Sequence, residues 1–259
     1  MSIEELDTIL VELNYYEKFK DNFLYAEYPA IDYGKRIGKL KFNSIIDAGQ
    51  KYTYGNLIEE VKFVEWNQVL TDINSTEEDV FITCLEIFEW GNVLNGNVKS
   101  AIELYKEKKL KSYLLWIKEL LTSDETLKVE NYSKEQHKII WSSGWTKVYS
   151  FINNDILIYD SRVSAFLNHT LTYKESNKTS LDELTKHLYN FNGAIGRKRQ
   201  VDKYYSFKNQ HPNGIMGFNA NLISSWVIQL LASKLDIEIS IRTFERAFFM
   251  LGFDLKQIE

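Results

Sequence analysis

The chain has 259 residues, enough for one large domain or two interleaved subdomains around a sizeable core. Two prolines, 44% hydrophobic and 14% aromatic residues describe an ordered, helix-rich protein and exclude long disorder. Lys and Arg number 31 against 36 Asp and Glu, a formal charge of −5, so a surface that grips a polyanion has to be a local patch on an acidic body.

Cys84 is the only cysteine, which excludes an intramolecular disulfide and any four-thiolate zinc or iron–sulfur site. Met1 to Leu6 is acidic and lacks the basic and apolar regions of a secretory signal, and no uninterrupted apolar stretch approaches a membrane span. A cytoplasmic protein without membrane contact is therefore expected. His137, His169, His187 and His211 show no metal-ligand spacing, and Gly193, Gly196, Gly214 and Gly217 form no nucleotide-binding fingerprint. No metal and no cofactor are expected.

Along the chain, Ile3, Leu6, Ile9, Leu10 and Leu13 share one face of an amphipathic helix expected over 3–26 and ended by Pro29. Residues 33–54 read as loop-rich, with Lys35, Arg36, Lys39, Lys41 and Lys51 set against Asp32 and Asp47; this is either a phosphate contact or a solvated loop. Ser75 followed by Glu78 has the capping-box pattern and opens an apolar helix through Phe81, Ile82, Leu85, Ile87 and Phe88 to Trp90-Gly91. Residues 1–75 thus read as an N-terminal helical and loop region ahead of a main domain at 76–259, or the whole as one continuous two-lobed domain. Asn95-Gly96-Asn97 is turn chemistry, with helices expected at 98–108 and 110–122.

Ser133 with Gln136 opens a helix that runs into Trp141, the polar break Ser142-Ser143-Gly144 ends it, and a second helix begins at Trp145-Thr146-Lys147-Val148. Asn153-Asn154-Asp155 marks a turn, 156–159 is too short to assign, and Asp160 stands as N-cap of a helix from Ser161 to Leu171. Ser180 with Glu183 suggests a further capped helix through Leu188. In 193–211, Arg197, Lys198, Arg199, Lys203 and Lys208 are opposed by Asp202 alone and interleaved with Tyr204, Tyr205 and Phe207. That mixture suits a backbone-plus-stacking contact with nucleic acid, or equally a solvated helix face. Closing helices are expected at 219–235 and 240–251.

Two helices joined by a Gly-containing turn present backbone N–H groups to a phosphate, because the first N–H groups of a helix lack internal partners. Lys147 directly after the turn and Asp160 beyond the next fold-back can place an amine and a carboxylate in one cleft. At these residues the chain resembles the helix-hairpin-helix DNA glycosylases, and among them the bacterial 8-oxoguanine-glycosylase-like branch. Ser143-Gly144-Trp145-Thr146-Lys147-Val148 is similar to the hairpin with its following lysine, and Tyr159-Asp160-Ser161-Arg162-Val163 to the segment carrying the catalytic aspartate. Softer similarities lie at Trp90-Gly91 with Gly96-Asn97 and at Glu245 to Met250. The hairpin departs from the pattern in lacking proline and in carrying Trp145 where a second glycine is usual, and the interval from Lys147 to Asp160 is shorter than in better-known members.

The resemblance implies an all-α fold, with two interleaved helical subdomains flanking a cleft and the hairpin at about 134–152. It implies a DNA N-glycosylase that flips a modified base out of double-stranded DNA and excises it, leaving an abasic site. An oxidised purine is the substrate suggested by the nearest branch, and a hypermodified phage cytosine, as in anti-phage defence, is the other. Asp160 would stabilise the charge developing on the sugar, and Lys147 would attack C1′ as a neutral amine, giving strand-nicking lyase activity. Ser143, Gly144, Trp145, Thr146, Arg162, Arg197, Lys198, Arg199 and Lys203 would hold the DNA, with Tyr204, Tyr205 and Phe218 lining a base pocket. No obligate protein partner is implied. Plainer roles stay open for the same residues: an N-cap for Asp160, a phosphate-contacting or solvated lysine for Lys147, and core packing for the aromatics. The rival classes are a non-catalytic helical DNA-binding or adaptor protein that keeps the hairpin, and a protein-binding helical module.

Overall fold

Leu6 and Leu10 are buried on one face of Ile3–Glu12 (α1), and Ser2 caps that helix in a reciprocal box with Glu5. The computed structural model describes residues 1–52, 59–128, 138–191, 195–201, 205–208, 214–235 and 239–258. The helix expected over 3–26 is broken at Asn14, which adopts a left-handed backbone (φ 49°), a conformation its short polar side chain tolerates. Tyr15–Phe19 (α2) and a π-helical turn, Lys20–Leu24, follow at a new angle. The bend turns Tyr15, Phe19 and Phe23 into the core, with ring centroids 5.9 Å apart between successive members.

The passage expected to be loop contains an antiparallel ribbon, Tyr28–Asp32 (β1) against Lys39–Phe42 (β2), with Ile31 opposite Leu40. Gly34 (φ 86°) and Gly38 (φ 83°) supply the left-handed positions its turn needs. Tyr28, Ile31 and Phe42 point inward. Ile45–Gln50 (α3) follows, capped by Ser44. The fold is predominantly helical, compatible with the all-α expectation, with a single small two-stranded sheet among the described residues. Two of the lysines here are paired, Lys41 with Glu27 at 2.9 Å and Lys51 with Asp47 at 2.8 Å.

Glu59–Thr71 (α4), which no pattern announced, is tied down by Trp66 Nε1 donating to Glu86 (2.7 Å) and Asn67 Nδ2 donating to the Phe151 carbonyl (2.7 Å). Glu77–Trp90 (α5) is capped by Thr76 with Asp79, one residue beyond the expected Ser75 and Glu78. Glu77 is thereby free to accept from Leu110 N–H at 2.6 Å, capping Leu110–Leu121 (α7) from outside. Between them Asn95–Lys106 (α6) starts at Asn95, so the Asn-Gly-Asn triplet is the first turn of a helix.

The remaining helices are Trp145–Ile152 (α8), Ser161–Thr172 (α9), Lys178–Thr185 (α10), Gly214–Lys234 (α11) and Ile241–Leu251 (α12). Asn177, not Ser180, caps α10; the Ser180 hydroxyl donates instead to Glu12 at 2.6 Å. The buried apolar residues form one continuous cluster from Leu6 to Leu255. At its centre Phe248 of α12 meets Phe166 of α9 (4.9 Å) and Phe19 of α2 (6.2 Å), so the first 75 residues share a core with the last hundred or so. By length and composition α11 reaches a membrane span, contrary to the sequence expectation; 67% of its most apolar window is buried inside the fold, which accounts for its apolarity.

Candidate functional site

The bend ahead of α8 is organised by Ser142. Its hydroxyl oxygen accepts from Gly144 N–H (3.2 Å) and Trp145 N–H (3.1 Å), and its carbonyl accepts from Thr146 N–H (2.9 Å). The Ser142 hydroxyl in turn donates to Asn97 Oδ1 at 2.5 Å, and the Asn97 side chain fills the space a Cβ on residue 144 would need. Gly144 is required here for close approach and not for its φ, which is an ordinary −76°. The N–H groups expected to face a phosphate are therefore largely consumed within the bend; that of Ser143 makes no hydrogen bond among the described residues, and Ser143 is only half-buried.

All eight residues of α8 are buried. Trp145 packs against Phe88 and Tyr113 and donates its indole N–H to Ser100 Oγ at 2.9 Å; Thr146 directs its hydroxyl back to the Ser143 carbonyl at 3.2 Å. The expectation that their side chains touch DNA is corrected by this burial. So is the expected helix into Trp141: residues 138–141 are not helical, because Ile140 N–H donates to Tyr113 Oη (2.9 Å) and the Ile140 carbonyl accepts from Tyr149. Its expected start, Ser133 and Gln136, lies outside the described residues.

Lys147 is 7% exposed, and its amine donates to the Ser143 carbonyl at 3.1 Å. Its aliphatic stem lies where a Cβ on Gly91 would be, so the softer Trp90-Gly91 similarity marks a physical contact. Burial pushes the amine pKa below its ordinary value; the charges of Asp160 and Glu245 push it back up, and Arg162 pushes it down again. Lys147 thus feels Asp160 without forming an ion pair to it among the described residues.

Asp160 is the N-cap of α9: its Oδ1 accepts from Arg162 N–H (2.8 Å) and Val163 N–H (3.1 Å). Its other carboxylate oxygen accepts no hydrogen bond among the described residues, and the residue is half-buried. The preceding Ile156 to Tyr159 is a buried irregular segment held from two sides. Leu157 N–H donates to Ser225 Oγ (3.2 Å) and Ile158 N–H to Glu245 Oε2 (2.6 Å), which also accepts from Arg242 at 2.6 Å. Glu245 is the residue whose part sequence reasoning missed; its sole signal was the Glu245–Met250 similarity.

Of the cations expected at DNA, Arg199 is buried, bonding Ser161 Oγ (2.5 Å) and the Phe253 carbonyl (3.3 Å), and so serves to hold the 197 segment against α9. Arg162 lies over Phe249 (4.2 Å) and Phe253 (4.9 Å), Arg197 over Phe253 (3.8 Å), and Lys198 N–H donates to Asp254 at 2.9 Å. These three stay half-buried beside the start of α9. Phe218 is fully buried against Tyr149 and belongs to the core, not to a base pocket. Tyr205 is half-exposed, its hydroxyl donating to the Thr172 carbonyl at 3.3 Å; Lys203 and Tyr204 lie outside the described residues.

The structure thus gathers a buried amine, a carboxylate with one oxygen unengaged and a cluster of arginines around the beginnings of α8 and α9. Compared with family models, with curated proteins and with solved structures, the chain finds no match in any of the three.

Proposed function

We propose that the protein is a DNA N-glycosylase of the helix-hairpin-helix type, with 142–152 as the hairpin's second half and two helical lobes flanking a cleft at Lys147 and Asp160. The observation that carries this reading is the Lys147 amine, buried, held below its ordinary pKa, and within electrostatic reach of Asp160. A lysine whose pKa is lowered gives up its proton more readily than an exposed one, which favours nucleophilic attack, and a carboxylate within electrostatic reach stabilises positive charge on a sugar.

In the reaction, the neutral amine attacks C1′ as the N-glycosidic bond breaks, and the base leaves with its bonding electrons and takes up a proton. Loss of the sugar ring oxygen from C1′ then gives a Schiff base, from which elimination of the 3′ phosphate nicks the strand. Without lysine attack, Asp160 orients water and the product is an intact abasic site. The substrate is a modified base flipped from duplex DNA, an oxidised purine or a hypermodified phage cytosine.

Duplexes carrying a panel of oxidised purines and hypermodified cytosines, treated with hot alkali after incubation, test this directly. Cleavage at one class of base is the expected result, with borohydride trapping of a covalent adduct through Lys147. DNA binding without base release from any member of the panel sinks the enzymatic reading and leaves the second one, a non-catalytic DNA-binding protein. That second reading draws on one observation, that the Lys147 amine is already hydrogen-bonded and nearly closed off from solvent.

A further inference from the structure

Arg246 lies one turn beyond Arg242 on α12, yet the two are treated differently. Arg242 pairs with Glu245 at 2.6 Å, whereas Arg246 forms no ion pair and no hydrogen bond among the described residues. Its guanidinium instead lies over the ring of Tyr52, at 5.6 Å. Tyr52 meets Phe249 (5.7 Å), Phe249 carries Arg162 (4.2 Å), Arg162 also lies over Phe253 (4.9 Å), and Phe253 carries Arg197 (3.8 Å). Arg197, like Arg246, has no carboxylate and no hydrogen-bond acceptor among the described residues. Three arginines and three rings thus form one unbroken row, drawn from the chain just after α3, from α12 and the residues that follow it, from the start of α9 and from the 197 segment.

Two features of the backbone set this row. Gly252 lies so close to the Arg162 carbonyl that a Cβ there would collide with it, which brings Phe253 up to the start of α9. Gly49 packs against the Thr243 backbone with equally little room, which brings the chain leading to Tyr52 against α12. The row therefore has fixed positions in a fixed order, with Arg162 two residues from Asp160.

A guanidinium laid on an aromatic face is immobilised while its N–H edge stays available, and that edge matches two oxygens of a phosphate. Arg197 and Arg246 have a ring under the guanidinium and, unlike Arg242, no carboxylate beside it among the described residues, so each is held in place with its edge open to an anion from outside. We infer that Arg246 and Arg197, set by the rings on either side of Arg162, are a preformed track for phosphodiesters of one nucleic-acid strand passing the start of α9 and the carboxylate of Asp160. The identity of that strand as substrate DNA rests on the proposed function; the track itself is a statement about phosphate binding.

The test is the salt dependence of affinity for an unmodified duplex, measured for the wild-type chain, Arg246→Ala, Arg197→Ala, the double variant, and Lys99→Ala as a control. Lys99, on α6, has a side chain 81% exposed and outside the row. Each arginine variant is expected to weaken binding and to shrink the slope of log affinity against log salt by about 0.9, the double variant by about twice that, and Lys99→Ala by nothing. Tyr52→Leu, which keeps every charge and removes the ring under Arg246, is expected to reproduce the weaker affinity of Arg246→Ala. A slope unchanged in the double variant, a loss shared by Lys99→Ala, or a wild-type chain with no salt-dependent affinity each overturns the track. Slope loss at Arg197 and Arg246 in a protein that releases no base upholds the track and removes the glycosylase; base release with an unaltered slope does the reverse.

Discussion

At the starts of α8 and α9 a short polar side chain accepts from two backbone N–H groups, yet the two end in opposite conditions. At α8, Ser142 absorbs the N–H groups of Gly144 and Trp145, Asn97 locks Ser142, and every side chain of the helix is buried. At α9, Asp160 caps with one oxygen and keeps the other unengaged among the described residues, while Ser161 and Arg162 remain half-buried at the rim. A neutral cap whose single oxygen is spent finishes a helix; an anionic cap with a second oxygen finishes a helix and retains a charge to act with. The difference teaches that a helix-start motif fixes the backbone, whereas its surroundings decide whether any chemistry is left over.

Asp160→Asn separates the two starts most sharply. Asparagine caps nearly as well as aspartate, so the melting temperature should hardly move, while base release should fall by about 10²–10⁴-fold. A proportionate loss of both would mean that Asp160 is a cap and nothing more. Lys147→Met comes next. It should abolish borohydride trapping and, by removing a buried amine that has no ion partner among the described residues, stabilise the fold by about 1–3 kcal/mol in denaturant titration.

The pH dependence of stability carries the same information. Because the folded-state pKa of Lys147 is lowered, the unfolded chain binds more protons below about 10.4, and this group's contribution to stability declines as pH falls through that window toward the folded value. Lys147→Met should flatten that decline; an unchanged profile would show that the amine is not desolvated in solution.

Gly91→Ala tests how tightly the amine is placed. A methyl at 91 takes the space of the lysine stem, so trapping should drop by about tenfold or more with the pH optimum displaced, and stability should fall by about 1–3 kcal/mol. Trapping at the wild-type rate and pH optimum would show that Lys147 needs no such seat. The smallest effect is expected at the closed start: Ser142→Ala should cost about 1 kcal/mol in thermal unfolding and leave the salt dependence of DNA binding unaltered, since those N–H groups already face inward. A steeper salt dependence in Ser142→Ala would mean that they can be turned toward phosphate.

Legibility in the sequence followed the range of the interactions. The helix from Ser161, its Asp160 cap, and the helices at 110–121 and 241–251 were readable because periodicity and capping act over a few residues. The single helix over 3–26 was not, since Asn14 breaks it to satisfy aromatic contacts with α9 and α12. Nor was the cap of α10, because Ser180 is claimed by Glu12 from the far end of the chain.

The same division applies to the site. Lys147 and Asp160 stood out through the glycosylase resemblance, but Trp145 and Thr146 belong to the same matched stretch and, like Phe218, are core residues in the fold. The sequence alone determined the helices whose caps and periodicity are local, those at 110–121, 161–172 and 241–251, where Asp160 begins one of them, and that any anion-binding surface had to be local. Only the tertiary structure decided that Lys147 is buried against Gly91 and that Glu245 steadies the approach to Asp160. It also decided that three arginines from distant stretches fall into one row. Burial and charge proximity are properties of residues far apart in the chain, and no local pattern encodes them.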